Sequence, residues 1–272
     1  MQDAHVFAEY IRTEEILFKH AKGMRDIIGL EIHPYHEIFL FMGGDAEFIS
    51  SAFRVKMQPR TLVVIPKENF HHFVVHGAEE DYHRYVFNFT AVAGLDALIE
   101  EKIEQICYFP ASPSLCAMFE KLGSHTADTD TYKQGLLQRA VFTEILLEME
   151  TAAPNDADYT HLSVHPLIAE AVKFIQKHTS TIAQVEDVAK AVNISSSYLS
   201  HLFREELHIS PHRYILEKKL ILANRKIESG CGAMQAAAEC GFANYSGFYK
   251  MYKKMFGFSP SMAGKTNAKI QN

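Results

Sequence analysis

Cysteine is scarce in this sequence, and the few cysteines stand apart. Cys107, Cys116, Cys231 and Cys240 include no Cys-x-x-Cys pair. That argues against a structural zinc site and a disulfide framework, and for a reducing cytosol. Long apolar runs are missing too: none approaches the ~20 residues that a membrane-spanning helix needs. The opening stretch MQDAHVFAEYIRTEE lacks the basic start and apolar core of a secretion signal. The expectation is a protein of the cytoplasm with no membrane partner. What is present is ordinary for a globular chain, 47% hydrophobic and 22% charged over 272 residues, enough for one large or two ordinary domains.

Charge is unevenly placed. Residues 166–272 carry 14 Lys and Arg against 8 Asp and Glu, a balance of +6, whereas residues 1–165 carry 13 against 25, a balance of −12. A basic C-terminal part on an acidic N-terminal part points to a polyanionic partner for one end only.

The hydrophobic period also changes along the chain. Between residues 28 and 90, IFLFM (38–42), AEFIS (46–50), TLVVIP (61–66), HHFVV (71–75) and YHRYVFNFT (82–90) are short, aromatic and β-branched, with Gly and Pro between them. They read as the strands of a sandwich or small barrel. From Pro113 the period is helical. One helix is predicted over 113–125 and a stronger one over 131–150, with Leu136, Leu137, Ala140, Val141, Ile145 and Leu146 on an apolar stripe. That stripe serves either dimerisation or packing on the chain's own strands. The polar stretch around TAAPNDADY reads as a linker, and everything after Pro166 as helices and short turns.

The C-terminal part contains a repeat. LHISP (207–211) recurs as FGFSP (256–260) at an offset of 49 residues, and Leu199, Phe203 and Leu207 fall on Phe248, Tyr252 and Phe256. Apolar residues at i, i+4 and i+8 form one buried helix face. Ser-Pro then caps the next segment, with Ser as N-cap and Pro at the first helical position. Upstream, Ala189 precedes Asn193 and Ala237 precedes Gly241 by four residues: a small residue for close helix crossing, then one that tolerates a left-handed turn. This is helix-turn-helix logic, used twice and joined by one long helix over about 211–228.

On these residues, IAQVEDVAKAVNISSSYLSHLFREELHISPHRYI followed by AAAECGFANYSGFYKMYKKMFGFSP resembles the DNA-binding region of AraC-type transcription regulators. The resemblance covers about 100 residues. It implies two recognition helices entering successive major grooves. Lys219 stands where that family usually has Arg, and Ala263-Gly264 where it usually has Tyr-Arg. In the first recognition helix, Ser196, Ser197, Ser200, His201 and Arg204 are expected to face DNA. In the second, about 244–256, Tyr245, Ser246, Tyr249 and Lys250 are expected to do so, with Lys253 and Lys254 on phosphates.

EIHPYHEIFLFMGG (31–44), MQPRTLVVIPKENFHH (57–72) and YHRYVFNFT are similar, more loosely, to the cupin-like N-terminal domain of AraC-type sugar regulators. Arg60 sits where that family commonly has Gly, which implies a different turn. The resemblance implies a multi-domain fold: an all-β cupin-like effector barrel over 1–110, helices for dimerisation over 111–152, a linker over 153–165 and an all-α tandem helix-turn-helix domain over 166–272. The barrel interior that the resemblance implies should offer His33, Glu37, His71 and Arg84 to an effector, with Phe39 on the same face as Glu37 by strand alternation, and a sugar is the effector class the resemblance favours.

Metal-binding cupins gather His and Glu inside the barrel, and Glu31, His33, Glu37 and His71 or His72 stand here as candidates. The paired His-x-His is missing, because Tyr35 stands between His33 and His36. The expectation is no metal and no cofactor, and a non-enzymatic regulator of transcription. Its expected partners are double-stranded DNA, a small effector, a second copy of the chain and, if it activates, RNA polymerase. Two other readings stand: a cupin metalloenzyme with an accessory helical domain, and a DNA-binding protein whose barrel is only a scaffold.

Overall fold

The computed structural model describes residues 7–13, 15–23, 32–76, 78, 81–125, 130–151 and 161–263. The strands are β1 (Phe7–Arg12), β2 (Ile16–Lys22), β3 (His36–Gly43), β4 (Ala46–Ser50), β5 (Phe53–Lys56), β6 (Thr61–Ile65), β7 (His71–Val75), β8 (His83–Phe89), β9 (Cys107–Pro110) and β10 (His161–Ser163). They pair antiparallel into a six-stranded sheet, β1-β2-β8-β3-β6-β9, and a four-stranded sheet, β10-β5-β4-β7. Strand alternation sets the layers. Phe39, Phe41, Val63, Ile65 and Val86 of the larger sheet meet Ala46, Phe48, Phe53 and Val55 of the smaller one in a shared core. Their neighbours Ile38, Leu40, Leu62, Val64 and Phe87 point the other way, onto helices.

The expected barrel is therefore not closed. Among the described residues no ladder joins the two sheets, and side-chain packing holds them face to face as a sandwich. Two further elements depart from expectation. Within the stretch expected to link the halves, β10 pairs with β5 at Ser163↔Phe53 and extends the smaller sheet. At the turn before β6, Arg60 itself takes the left-handed conformation that glycine favours, φ 68°. Its N–H donates to Phe41 O at 2.7 Å and its carbonyl accepts from Ala111 N at 2.8 Å, which holds the strained residue in place.

Helices α1 (Asp96–Lys102), α2 (Pro113–Ser124) and α3 (Thr131–Thr151) follow the sheets. Ser112 caps α2 by accepting from Leu115 N, and its hydroxyl also bonds the Glu148 carboxylate of α3. The expected apolar stripe of α3 is divided. Val141, Ile145 and Leu146, with Phe142, are buried against the outer face of the larger sheet. Leu136 is 52% exposed. The buried amide of Gln138 donates to Ile11 O of β1 at 2.9 Å.

The remaining helices are α4 (Pro166–His178), α5 (Val185–Ala191), α6 (Ser196–Leu207), α7 (Pro211–Glu228), α8 (Ala233–Glu239) and α9 (Tyr245–Phe256). The two helix-turn-helix units match at the level of single hydrogen bonds. Ile194 N donates to Ala189 O (3.0 Å) in one, and Phe242 N to Ala237 O (3.1 Å) in the other. Asn193 (φ 57°) and Gly241 (φ 75°) supply the left-handed turn residues. Ser195 accepts from Tyr198 N to cap α6, and Asn244 from Gly247 N to cap α9. His208 and Gly257, again 49 residues apart, end the two helices in the left-handed region. The second Ser-Pro starts only a 3-10 turn, Pro260–Met262, where the first starts α7.

Helix α7 packs against α6, α8 and α9. Its Lys219 is buried, and the ammonium donates to Ile182 O at 2.7 Å and approaches Gly241 O at 3.5 Å. One side chain thus ties the entry to the first unit to the turn of the second. Asn224 of α7 adds a buried hydrogen bond from the Tyr252 hydroxyl of α9.

Lys219→Met leaves these carbonyls without their donor and should cost about 1–3 kcal/mol in urea unfolding. Gly241→Ala should cost about 1–2 kcal/mol from its left-handed backbone alone, and its Cβ would also stand 3.2 Å from Ser180 O. Unfolding curves unchanged in both variants would refute the assigned role of this contact.

Candidate nucleic-acid interface and candidate effector site

The buried faces of the two recognition helices leave defined outer faces. Leu199, Leu202, Phe203 and Leu207 of α6 enter the core, as do Phe248, Tyr252, Met255 and Phe256 of α9. On α6, Ser197, His201 and Arg204 are exposed, and Ser196 and Ser200 half-buried. On α9, Ser246, Tyr249, Lys250, Lys253 and Lys254 are exposed. Tyr245 is half-buried, its ring against Phe248 and Tyr249.

The two helices differ in charge. On α6, Arg204 is followed by Glu205 and Glu206. His201 Nε2 lies 3.3 Å from the Glu205 carboxylate, and Arg54 reaches Glu206 at 3.9 Å. Helix α9 contains three lysines and no acidic residue, and among the described residues those lysines make no ion pair. The electropositive face is therefore concentrated on α9. Tyr198, 45% exposed beside Ser197, is a further outward group that the sequence pattern did not mark.

The second site lies at one end of the sandwich. His33, Glu37 and His71 each present a ligand-type atom, all within 4.8 Å of one another. His33 Nε2 stands 3.8 Å and His71 Nε2 3.6 Å from the Glu37 carboxylate. Each ring is fixed from behind by a backbone carbonyl: His33 Nδ1 bonds Tyr35 O at 2.7 Å and His71 Nδ1 bonds Asn69 O at 3.2 Å. The Tyr35 ring stacks on His33 at 4.0 Å. Burial pushes the His33 imidazole down to about 3, so it is neutral at pH 7. Burial opposes the charge on Glu37, but the His71 hydrogen bond and nearby positive charge outweigh it and hold the carboxyl at about 2.

Asn88 completes this surround. With its amide oriented so that Nδ2 donates to Glu37 Oε2 (2.9 Å), its oxygen accepts from Lys19 Nζ (3.2 Å). Phe39 lies in the sheet-to-sheet core, stacked on Phe73 at 4.1 Å. The Arg84 guanidinium sits 5.3 Å from the Phe39 ring and donates to the Tyr82 hydroxyl at 3.1 Å. Of the alternatives left open by sequence, His71 joins the cluster. His72 instead stacks on His208, the residue that ends α6. Glu31 lies outside the described residues. Lys19 and Asn88 were missed; alternation along β8 places Asn88 with Arg84, but nothing marked β2 as a strand.

The two sites touch through one turn. Glu68 N donates to His33 O at 2.7 Å. The Glu68 carbonyl accepts from Lys218 Nζ of α7 at 2.8 Å, and its carboxylate pairs with Arg225, whose Nε donates at 2.8 Å. Phe70 packs on Tyr214 of the same helix at 5.4 Å.

Comparison with known proteins bears on the C-terminal half. A helix-turn-helix domain family matches residues 188–265. The HTH-type transcriptional regulator GbdR of Pseudomonas aeruginosa is 31% identical over 96 residues, 35% of this chain and 26% of the relative. The xylose operon regulatory protein of Escherichia coli is 28% identical over 117 residues, 43% of this chain and 30% of the relative. The chain thus spans about a quarter to a third of the length of these curated relatives. A solved AraC-type DNA-binding-domain protein from Chromobacterium violaceum aligns at 25% identity over 39% of this chain and 96% of its own, with a TM-score of 0.36. The matched family, the two curated relatives and the doubled turn-and-cap geometry make residues 188–265 a helix-turn-helix domain of the AraC type.

Proposed function

We propose that the protein is a cytoplasmic, non-enzymatic regulator that binds specific double-stranded DNA through α6 and α9 under the control of a small organic effector held between the sheets. The observation that carries this reading is the doubled unit itself: two capped, outward-facing helices set on one continuous α7. Their outer faces divide the work. Lys250 would donate to guanine edges. Lys253 and Lys254 supply sequence-independent attraction to phosphates, while α6, with short serines and two acidic residues, contributes modest direct readout.

Fluorescence anisotropy against DNA from upstream of the protein's own gene, across a salt series, tests this. Lys250→Ala should relax base preference at one position by about 1–3 kcal/mol. Lys253→Ala or Lys254→Ala should weaken all sequences alike and lower the salt slope by about 1. Equal loss on every sequence in Lys250→Ala would remove its base-reading role. No preference for any sequence in the parent protein would remove the regulator reading.

The effector would lie among His33, Glu37, Phe39, His71 and Arg84. Aromatic faces beside hydrogen-bonding groups suit a carbohydrate, and the relative from E. coli is named for a xylose operon. Control reaches α7 through the Glu68 turn, which bonds His33 on one side and Lys218 and Arg225 on the other. An effector acts only through unequal affinity for two states. Glu68→Ala should therefore leave DNA affinity near the parent value without effector and remove the sugar-dependent shift in anisotropy. A full shift in that variant would place the coupling elsewhere.

The exposed face of α3 provides for a second copy. Tyr132, Leu136 and Leu147 are 74%, 52% and 55% exposed, and with Ala140 they fall within about 80° of helical arc. Pairing two chains raises the effective concentration of the second DNA module without new contacts. Sedimentation should show a dimer that becomes a monomer in Leu136→Glu/Leu147→Glu. A dimer that persists in this variant would move the interface off α3.

A further inference from the structure

We infer that His33, His71 and Glu37 form a binding site for one divalent transition-metal ion of the zinc, cobalt or ferrous class. The donor set is two imidazoles and one carboxylate, which suits these ions and not magnesium or calcium, whose ligands are oxygens. The inference goes beyond the effector reading and does not depend on it.

Three features carry it. First, the three donor atoms converge. Ligands about 2.1 Å from a tetrahedral ion stand about 3.4 Å apart, and the two histidine-to-glutamate separations are 3.8 Å and 3.6 Å. Those two distances are to different carboxylate oxygens, and one donor atom from each residue lies within 4.8 Å of the others, so closing onto an ion takes side-chain shifts of up to about 1.4 Å. Second, both rings are already oriented as ligands. Each Nδ1 is engaged by a backbone carbonyl, which turns each Nε2 toward the shared space; at His71 an ion would take the place of the proton now shared with Glu37. The carboxylate is likewise held from behind by Asn88. Such outer contacts fix tautomer and direction at metal centres. Third, His33 Nε2 is buried without a hydrogen-bond partner. A buried unpartnered polar atom is costly, and an ion at this point would satisfy it.

Lys19 opposes a dication. Its amine lies one amide further out, against the Asn88 oxygen, and its charge already offsets that of Glu37. Removing it should therefore tighten metal binding at this site and leave binding at any surface histidine unchanged. That response separates a built site from ions collected by the chain's 15 histidines.

The test is titration of the chelator-stripped full chain with Zn²⁺ by calorimetry, without DNA or organic ligand. The expected result is about one ion per chain. Glu37→Gln and His71→Gln should weaken it by more than about tenfold, as ligand loss exceeds the effect of outer-shell changes, and Lys19→Met should tighten it. Circular dichroism melts establish that the variants are folded. If they are not, Co²⁺ added to the parent chain decides by paramagnetic broadening of the His33 and His71 ring signals. No binding by the parent chain, binding undiminished in Glu37→Gln and His71→Gln, or ring signals untouched by Co²⁺ would each overturn the assignment. None of these outcomes bears on DNA recognition, which is measured separately.

Discussion

The C-terminal half depends on one buried ammonium. Lys219 reaches from the middle of α7 to Ile182 O, at the entry to the first helix-turn-helix unit, and toward Gly241 O, in the turn of the second. Burial works against its charge and lowers its pKa, which nearby Cys240 and Asp187 oppose, and Ile182 O accepts directly from the ammonium. Two recognition helices can read one DNA only if their spacing is set in advance, since each groove admits a helix at one place per turn. A rigid α7, locked at both turns, provides that spacing. Gly241 fits because it has no side chain: a Cβ there would stand 2.9 Å from the Lys219 ammonium.

Much of this was legible in the sequence, and for chemical reasons. Caps and left-handed turns demand particular residues, so Ser210, Asn193 and Gly241 marked a helix start and two turns where the structure has them. The strand alternation that grouped Glu37 with Phe39 rests on a period of two that survives any sheet arrangement. What alternation cannot give is how sheets close. The same inward and outward faces serve a barrel or a sandwich, and only hydrogen bonding between edge strands separates them.

Other features were hidden because they are products of tertiary structure. β1 and β2 mix charged with apolar residues, and β2 is a strand on the edge of β8 and β1 on the edge of β2. β9 is four residues long and ends in proline. Lys219 read as a departure from arginine, and its role appeared only when the two turns met around it. Glu68, a turn residue with φ 65°, gave no sign in sequence that it joins the sandwich to α7. The division of α3 into a buried face and an exposed one likewise depends on which side meets the sheet, and no helical period reports that.

The central claim is that both units engage one DNA together. Methylation-protection footprinting of the full chain on its preferred DNA tests it most directly. The account predicts two protected major-groove patches on one face of the duplex, about 10 base pairs apart centre to centre, with the lysine-rich α9 patch the more sensitive to salt. A single protected patch, or two patches on opposite faces, would contradict it.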